Sequence, residues 1–521
     1  MSEGAPWRPR HNPWLIALAV MLATFMEVLD TSVANVALPH IAGSLSASAD
    51  EATWVLTSYL ISNAIILPAT NWLGSVFGRK RFLLTCIGIF TVASALCGAA
   101  FDLGFLIVAR ILQGAGGGAL QPVSQAILLE SFPPEKRGVA MATFAMGVVV
   151  APILGPIFGG WITDHYSWRW IFYINLPIGA LAILLSQSTI EDPPYLQRSK
   201  FSSIDSIGFG CMAVWLATLQ YVLDKGQEED WFSSNAILWC TIISAICFVA
   251  FIVRELTARA PLIDLAVLKN RNFSVGVALI TIVGLVLYGT TAVLPLFMQT
   301  LLGYTAVAAG LAMSPRGVAA FITTIIVGRI AGRVISNRVL LMFGFTVLGI
   351  ASFLLAGISL QEPIGRLMWL SVINGVAISL IFVPLTTSTM GTLHQHEIGN
   401  ASGIYNLMRN LGGSIGIAGI TTLIARSGQA HHAFLGAHMN EFNPAYRQHL
   451  AGIAAGLAPK VGSFEAAQKA PALLAQSLEQ QASVLSYIDA FRTIAILALV
   501  CVPLVFLLRK ATNASGPMAA H

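Results

Sequence analysis

About fourteen apolar runs of spanning length, roughly 17–25 residues each, constrain this 521-residue chain more than any other feature. In a bilayer every backbone N–H and C=O has to find its partner inside the segment, so each run is read as an α-helix. The runs cover residues 14–37, 52–73, 82–101, 104–130, 138–161, 168–188, 204–223, 235–253, 273–300, 307–328, 338–360, 367–390, 400–425 and 485–508. Only 10% of the residues are charged and mean hydropathy is +0.75, against about 25% charged in soluble domains. The fold class expected is an all-α integral membrane protein with about fourteen transmembrane helices.

Basic residues set the orientation. With the N-terminus inside, Arg8, Arg10, Arg79, Lys80, Arg81, Lys136, Arg137, Arg198, Lys200, Arg254, Arg259, Lys269, Arg271, Arg329, Arg333, Arg338, Arg509 and Lys510 fall on the cytoplasmic side. The short external loops keep only Arg169, Lys225 and Arg366, a bias of 18 against 3. The positive-inside rule then calls for an even span count with both termini cytoplasmic. The first run is too long for the core of a signal peptide and reads as a retained span. These loops account for the net charge of +5 without a nucleic-acid partner. Cys86, Cys97, Cys211, Cys240, Cys247 and Cys501 all fall in spans and form no C-x-x-C pair, which argues against a disulfide or zinc framework. His431, His432, His438 and His449 are irregularly spaced in polar surroundings, the pattern of a solvated loop rather than a metal site. No Walker-type phosphate loop or Ser/His/Asp set stands at a plausible site, so the chain is not read as an enzyme.

Two carboxylates interrupt the first run, Glu27 and Asp30. A charge near mid-membrane costs a few kcal/mol, so such acids mark ion, proton or substrate pathways. Spacing i, i+3 puts both on one helix face. Asp30 and Arg110 of the fourth run both sit about 10 Å below the outer boundary at 1.5 Å per residue, a depth at which they can pair. The pair is read either as a proton-coupling element or as a static packing contact. Glu27, about a turn deeper, is read as a proton acceptor, or alternatively as a hydrogen-bonding partner of a neighbouring helix.

Residues about 260 apart resemble each other weakly. Val36–Pro39 lies opposite Ala292–Pro295, Pro122 and Glu135 lie opposite Pro384 and Glu397, and the basic turn Gly78–Arg81 lies opposite the turn ending at Arg338. Two homologous bundles with a midplane cavity and alternating access are the expectation. Residues 1–190 form the first six-helix bundle. Residues 191–271 hold a polar linker (191–203) and an extra helix pair, and 272–521 form the second bundle with a long external loop at 426–484. The Ala/Gln/Leu-rich patches of that loop after Asn443-Pro444 are helix-forming, and it is read either as a docking element or as a plain long loop.

On these motifs the chain resembles the major facilitator superfamily, within it the 14-span drug:proton antiporters of the EmrB/QacA type. Leu29–Pro39 (LDTSVANVALP) is similar to the first-span signature and Leu106–Gly118 (LIVARILQGAGGG) to the fourth-span pattern. Ala151–Gly160 (APILGPIFGG) is similar to the fifth-span antiporter motif, and Ser167–Gly179 (SWRWIFYINLPIG) to the sixth-span entry. The turn after the second span departs from pattern, with Ser75 where the family has an aspartate, although Gly78, Arg79 and Lys80 remain. His431-His432, Phe442–Pro444 and the stretches around Gln480 and Asp489 favour the EmrB branch.

The resemblance implies proton-coupled export of lipophilic toxic compounds by alternating access, with Glu27, Asp30 and Arg110 in the coupling path and the proton gradient, not a cofactor, as energy source. It assigns gating and packing to Gly78, Arg79, Lys80, Pro152, Gly155, Pro156, Gly159 and Gly160, with the fifth-span motif facing the opposite half. It further implies the inner membrane of a bacterium, a periplasmic adaptor and an outer-membrane channel. Phe25, Asn35, Tyr59, Met146, Tyr288, Phe297, Met298, Phe382, Tyr405 and Arg409 are candidate cavity residues, because flexible Met and flat aromatic surfaces adapt to varied ligands. Arg316 and Arg409 fall mid-span and are read first as electrostatic or structural. Two other readings stay open: a narrow carrier of one metabolite or siderophore, and a non-transporting sensor or scaffold.

Overall fold

The structure, a computed structural model, describes residues 9–133, 136–192, 205–258, 261–332, 334–393, 397–440 and 442–509. Arg8, Glu135, Arg198, Lys200, Arg259, Arg333, Lys510 and nearly all of the 191–203 linker lie outside them. In chain order the helices are α1 (Pro13–Ser44), α2 (Ala49–Phe77), α3 (Arg79–Gly98), α4 (Leu103–Gly117), α5 (Leu120–Ser131), α6 (Arg137–His165), α7 (Trp170–Tyr173), α8 (Asn175–Thr189), α9 (Ser206–Lys225), α10 (Asn235–Thr257), α11 (Arg271–Thr300), α12 (Ala306–Ile330), α13 (Asn337–Leu355), α14 (Ile364–Met390), α15 (Ile398–Gly436), α16 (Pro444–Val461) and α17 (Ser463–Leu504).

Local chemistry writes the helix starts. Asn12 caps α1 by accepting from the Trp14 N–H, with Pro13 in the first turn. Ser48 and Glu51 form a reciprocal capping box on α2. Asp102, Asp205, Asn270, Thr305, Ser336 and Asn443 cap α4, α9, α11, α12, α13 and α16 in the same manner. Among the described residues thirteen helical spans are long and apolar enough to cross a membrane, α4 with α5 (Leu103–Ser131) and α7 with α8 (Trp170–Thr189) each counting as one. The thirteenth run of the sequence reading, 400–425, does form a helix, but α15 is too polar to count on composition. Its buried face carries Asn400, Ser402, Asn406 and Arg409. Outward-facing apolar side chains such as Trp239, Ile246, Val249 and Trp369 are exposed within the spans, as a lipid-facing surface requires.

The helices sort into two sets with matching contacts. In the first, α1 packs on α6 and α8, and α3 and α2 both pack on α4; in the second, α11 packs on α15 and α17, and α13 and α12 both pack on α14. The repeated prolines fall inside corresponding helices, Pro39 in α1 and Pro295 in α11. Between the sets, α6 lies against α12 and α14, while α15 lies against α2 and α5. The extra pair α9 and α10 packs on α2 and touches α15. Trp54 stacks on Tyr221 at 5.7 Å, Gln220 accepts from Ser414 at 2.9 Å, and Trp231 donates to Thr422 at 3.2 Å. Residues 426–484, expected as a long external segment with helix-forming patches after Asn443-Pro444, are mostly helical. They comprise the end of α15, all of α16 and the first half of α17, and α16 buries none of its residues.

Candidate functional site

The fourth-span glycine run brings α4 against α2 and ends the helix at Gly117. A Cβ on Gly114 would lie 2.4 Å from the Tyr59 carbonyl oxygen, and one on Gly118 would lie 2.5 Å from that of Asn63. The break before α5 carries Gln121 over α1. Spacings of three and four residues then aim Glu27 and Asp30 (α1), Tyr59 and Asn63 (α2), and Arg110 and Gln113 (α4) at one buried locus.

Asp30 and Arg110 form an ion pair in full burial, 2% and 0% exposed. Asp30 Oδ2 accepts from Arg110 Nη1 at 2.6 Å. Its Oδ1 accepts from Gln113 Nε2 at 2.9 Å and from Asn175 Nδ2 at 2.7 Å. Arg110 also donates to the Val55 carbonyl at 2.9 Å and to Gln113 Oε1 at 2.7 Å, and its guanidinium lies 4.2 Å from the Tyr59 ring centroid. Replacing Asp30 by a neutral side chain would leave a buried guanidinium without its counter-charge, at a cost of about 3–5 kcal/mol. Glu27 is bonded differently. Its Oε2 accepts from Gln121 Nε2 at 2.6 Å, and its Oε1 from Tyr59 Oη and Asn63 Nδ2, each at 3.3 Å. All three donors are neutral, so neutralising Glu27 strands no cation bonded to it. Beyond Gln121 stands Arg409 of the other helix set, 1% exposed, donating to Gln121 Oε1.

The turn between α2 and α3 also meets the other set. Gly78 has φ +84°, in the region that favours glycine. Arg79 pairs with Glu130, and a Cβ on Gly399 of α15 would lie 3.1 Å from Arg79 Nη2. Ser75 turns back on its own helix and donates to the Trp72 carbonyl at 2.7 Å. A carboxylate reaches the turn from elsewhere: Asp192 accepts from the Lys80 N–H at 2.8 Å, while Lys80 Nζ donates to the Gln187 carbonyl at 2.6 Å.

The fifth-span glycines face α1, not the opposite half as the resemblance implied. A Cβ on Gly155 would lie 2.1 Å from Ser32 Oγ and one on Gly159 3.1 Å from a Val33 methyl carbon. Ser32 donates to the Pro152 carbonyl at 3.0 Å. The small residues sit where two helices of one bundle approach most closely; the start of α6 is what meets α12. Gly160 is buried on the same helix. The side chains of Pro156 and Met146 lie outside the described residues.

Of the candidate cavity residues, Tyr59 and Arg409 belong to the Glu27 locus. Phe25 is half-buried against the α1 core, and Asn35 is exposed, bonding the Thr31 carbonyl at 3.0 Å. Phe297 and Met298 are buried inside the second set, Phe297 edge-on to Tyr487 at 5.3 Å. Tyr405 bonds Thr386 at 3.1 Å, Phe382 is buried beside them, and Tyr288 packs on Gly413. Arg316 is buried and donates to Thr291 at 3.1 Å. Sequence reasoning missed Asn63, Gln113, Gln121, Asn175 and Asp224, the last accepting from Thr57. Gln113 was reachable, because it lies one turn from Arg110 on the same face.

The Major Facilitator Superfamily family model matches residues 20–417. The chain is 40% identical to the multidrug export protein EmrB of Haemophilus influenzae, over 82% of this chain and 84% of that one. It is 37% identical to EmrB of Escherichia coli K12, over 96% of each, and 36% identical to the fatty acid resistance protein FarB of Neisseria gonorrhoeae, over 96% and 97%. A crystal structure of the human organic anion transporter MFSD10 (TETRAN) shares the fold at TM-score 0.59 and 12% identity, covering 96% of this chain and 100% of that one. Two matched helical sets, a buried acid–arginine pair between the first and fourth spans, and these relatives lead to one assignment: the chain is a transporter of the major facilitator superfamily, homologous to the EmrB multidrug export proteins.

Proposed function

We propose that this transporter is a proton-driven antiporter that exports lipophilic toxic compounds by alternating access. One observation carries the reading. A buried carboxylate, Glu27, is held only by neutral donors beside the seam between the two helix sets, while its neighbour Asp30 is committed to Arg110. Glu27 is the group that exchanges its proton, and the Asp30–Arg110 pair anchors the helices that present it. The relatives named for multidrug export and fatty acid resistance support a lipophilic cargo. The basic bias of the short loops supports a bacterial cytoplasmic membrane with both termini inside. The exposed helical segment of 426–484 is the surface for a periplasmic adaptor leading to an outer-membrane channel.

Substrate-dependent proton release from proteoliposomes under an imposed pH gradient tests the reading, with several unrelated lipophilic compounds applied to the native chain and to Glu27→Gln. Proton release with several compounds, abolished in Glu27→Gln, is the expected result. Binding of one compound without any proton movement would sink the antiporter.

A further inference from the structure

Two amides on one face of α5, Gln121 and Gln125, meet α15 of the opposite set. Gln125 Oε1 accepts from Asn406 Nδ2 at 2.6 Å, a contact between neutral groups. Gln121 stands between charges, donating from Nε2 to Glu27 at 2.6 Å and accepting at Oε1 from Arg409. A carboxylate only accepts and a guanidinium only donates, so the amide orientation is fixed and a side chain with a single role cannot replace it. Arg409 Nε and Nη1 find no hydrogen-bond partner among the described residues. Besides Gln121, the guanidinium has a longer bond to Asn410 at 3.4 Å.

We propose that Gln121 is the positioning residue that passes the charge state of Glu27 to the opposite bundle, holding Arg409 at the seam while Glu27 is ionised and loosening it when Glu27 is neutral. Hydrogen bonds to an ionised partner are roughly twice as strong as neutral ones, and a polarised amide strengthens both of its bonds together. The groups around Glu27 are Tyr59 and Asn63 of α2, Gln121 of α5, Asp30 on its own helix, Arg110 of α4 and Arg409 of α15. Asp30 and Arg110 neutralise each other. Arg409 is therefore the cation left to answer Glu27, and Gln121 is the atom path between them. The Gln125–Asn406 contact one turn away has no such dependence. The inference rests on Glu27 being the coupling acid.

The test uses the full chain in lipid nanodiscs and measures hydrogen–deuterium exchange of α5 and of residues 398–412 at about pH 6 and about pH 8, corrected for intrinsic rates. Ethidium-dependent proton release from proteoliposomes accompanies it. The native seam should exchange several-fold more slowly at the higher pH. Gln121→Met, of similar volume, should lose that pH ratio and uncouple proton release from ethidium movement. Gln125→Met should exchange faster at both pH values and keep the ratio. Gln121→Asn, with the amide on a shorter stem, covers a misfolded Met variant and should at least halve the ratio. A native ratio in the Gln121 variants, with Glu27→Gln flat, overturns the role of Gln121 and leaves the acid reading standing. A native ratio in Glu27→Gln overturns the acid reading itself.

Discussion

Removing the carboxylate of Asp30 and that of Glu27 should damage different properties of the protein. Asp30→Asn leaves Arg110 buried without a counter-charge, a loss of roughly 3–5 kcal/mol for a broken buried pair. The thermal midpoint in detergent should fall markedly, and Asp30→Asn combined with Arg110→Gln should recover part of it because no lone charge remains. Glu27→Gln removes a charge bonded only to neutral donors, so its midpoint should stay within about 1 kcal/mol of native while proton release stops. A single Asp30→Asn variant as stable as the native chain would show that the pair is not the anchor of α1 on α4. The Asp30–Arg110 contact was legible in the sequence, since depth from the span ends and opposite charge are both countable. Gln121 was not: an amide has no charge or periodic signature, and its partners lie 94 and 288 residues away in sequence.

Helix approach is set by glycine in this fold, and the effect is local enough to test one position at a time. Gly114→Ala places a methyl group 2.4 Å from a backbone oxygen of α2, so α4 must move away and carry Arg110 with it. A cost of about 1–3 kcal/mol is expected for such overpacking, along with reduced transport. Gly210→Ala on α9 has nothing within 4 Å of the new carbon and should be neutral within about 0.5 kcal/mol. Thermal midpoints of the two variants measured side by side check both statements, and equal midpoints would remove glycine contact as the determinant. At this scale the sequence revealed helices wherever lipid demands apolar residues. Past Asn443-Pro444 the Ala/Gln/Leu-rich patches pointed to helix, which α16 and the early turns of α17 bear out, but their extent was not legible, because α16 buries no side chain and so carries no apolar stripe. The partner of the fifth-span motif was misread for a related reason: a run of small residues announces close approach without saying to which helix.

Alternating access requires the two helix sets to separate where they now touch, and the α6–α12 seam offers a place to forbid it. Near the basic-turn end, a Cβ on Gly328 would lie 2.8 Å from that of Ala142, and one on Gly138 3.5 Å from the Gly328 carbonyl oxygen. Disulfides join Cβ atoms about 3.5–4.5 Å apart, so Ala142→Cys with Gly328→Cys needs only a small outward shift to close. Of the native cysteines, Cys86, Cys97 and Cys501 are buried and the others half-buried, and the native chain given the same oxidant serves as control. Oxidation of the double variant should stop ethidium efflux from proteoliposomes and reduction should restore it, with single-cysteine variants unaffected by either treatment. The matched contacts α1–α6 and α11–α15 tie each set together along whole helices, so if the sets move as bodies a staple at this one seam should block the whole cycle rather than slow it in proportion. Efflux that continues at the native rate with the disulfide formed would mean that the sets do not part at this end, and the rocking of two bundles would have to be abandoned for a motion within one of them.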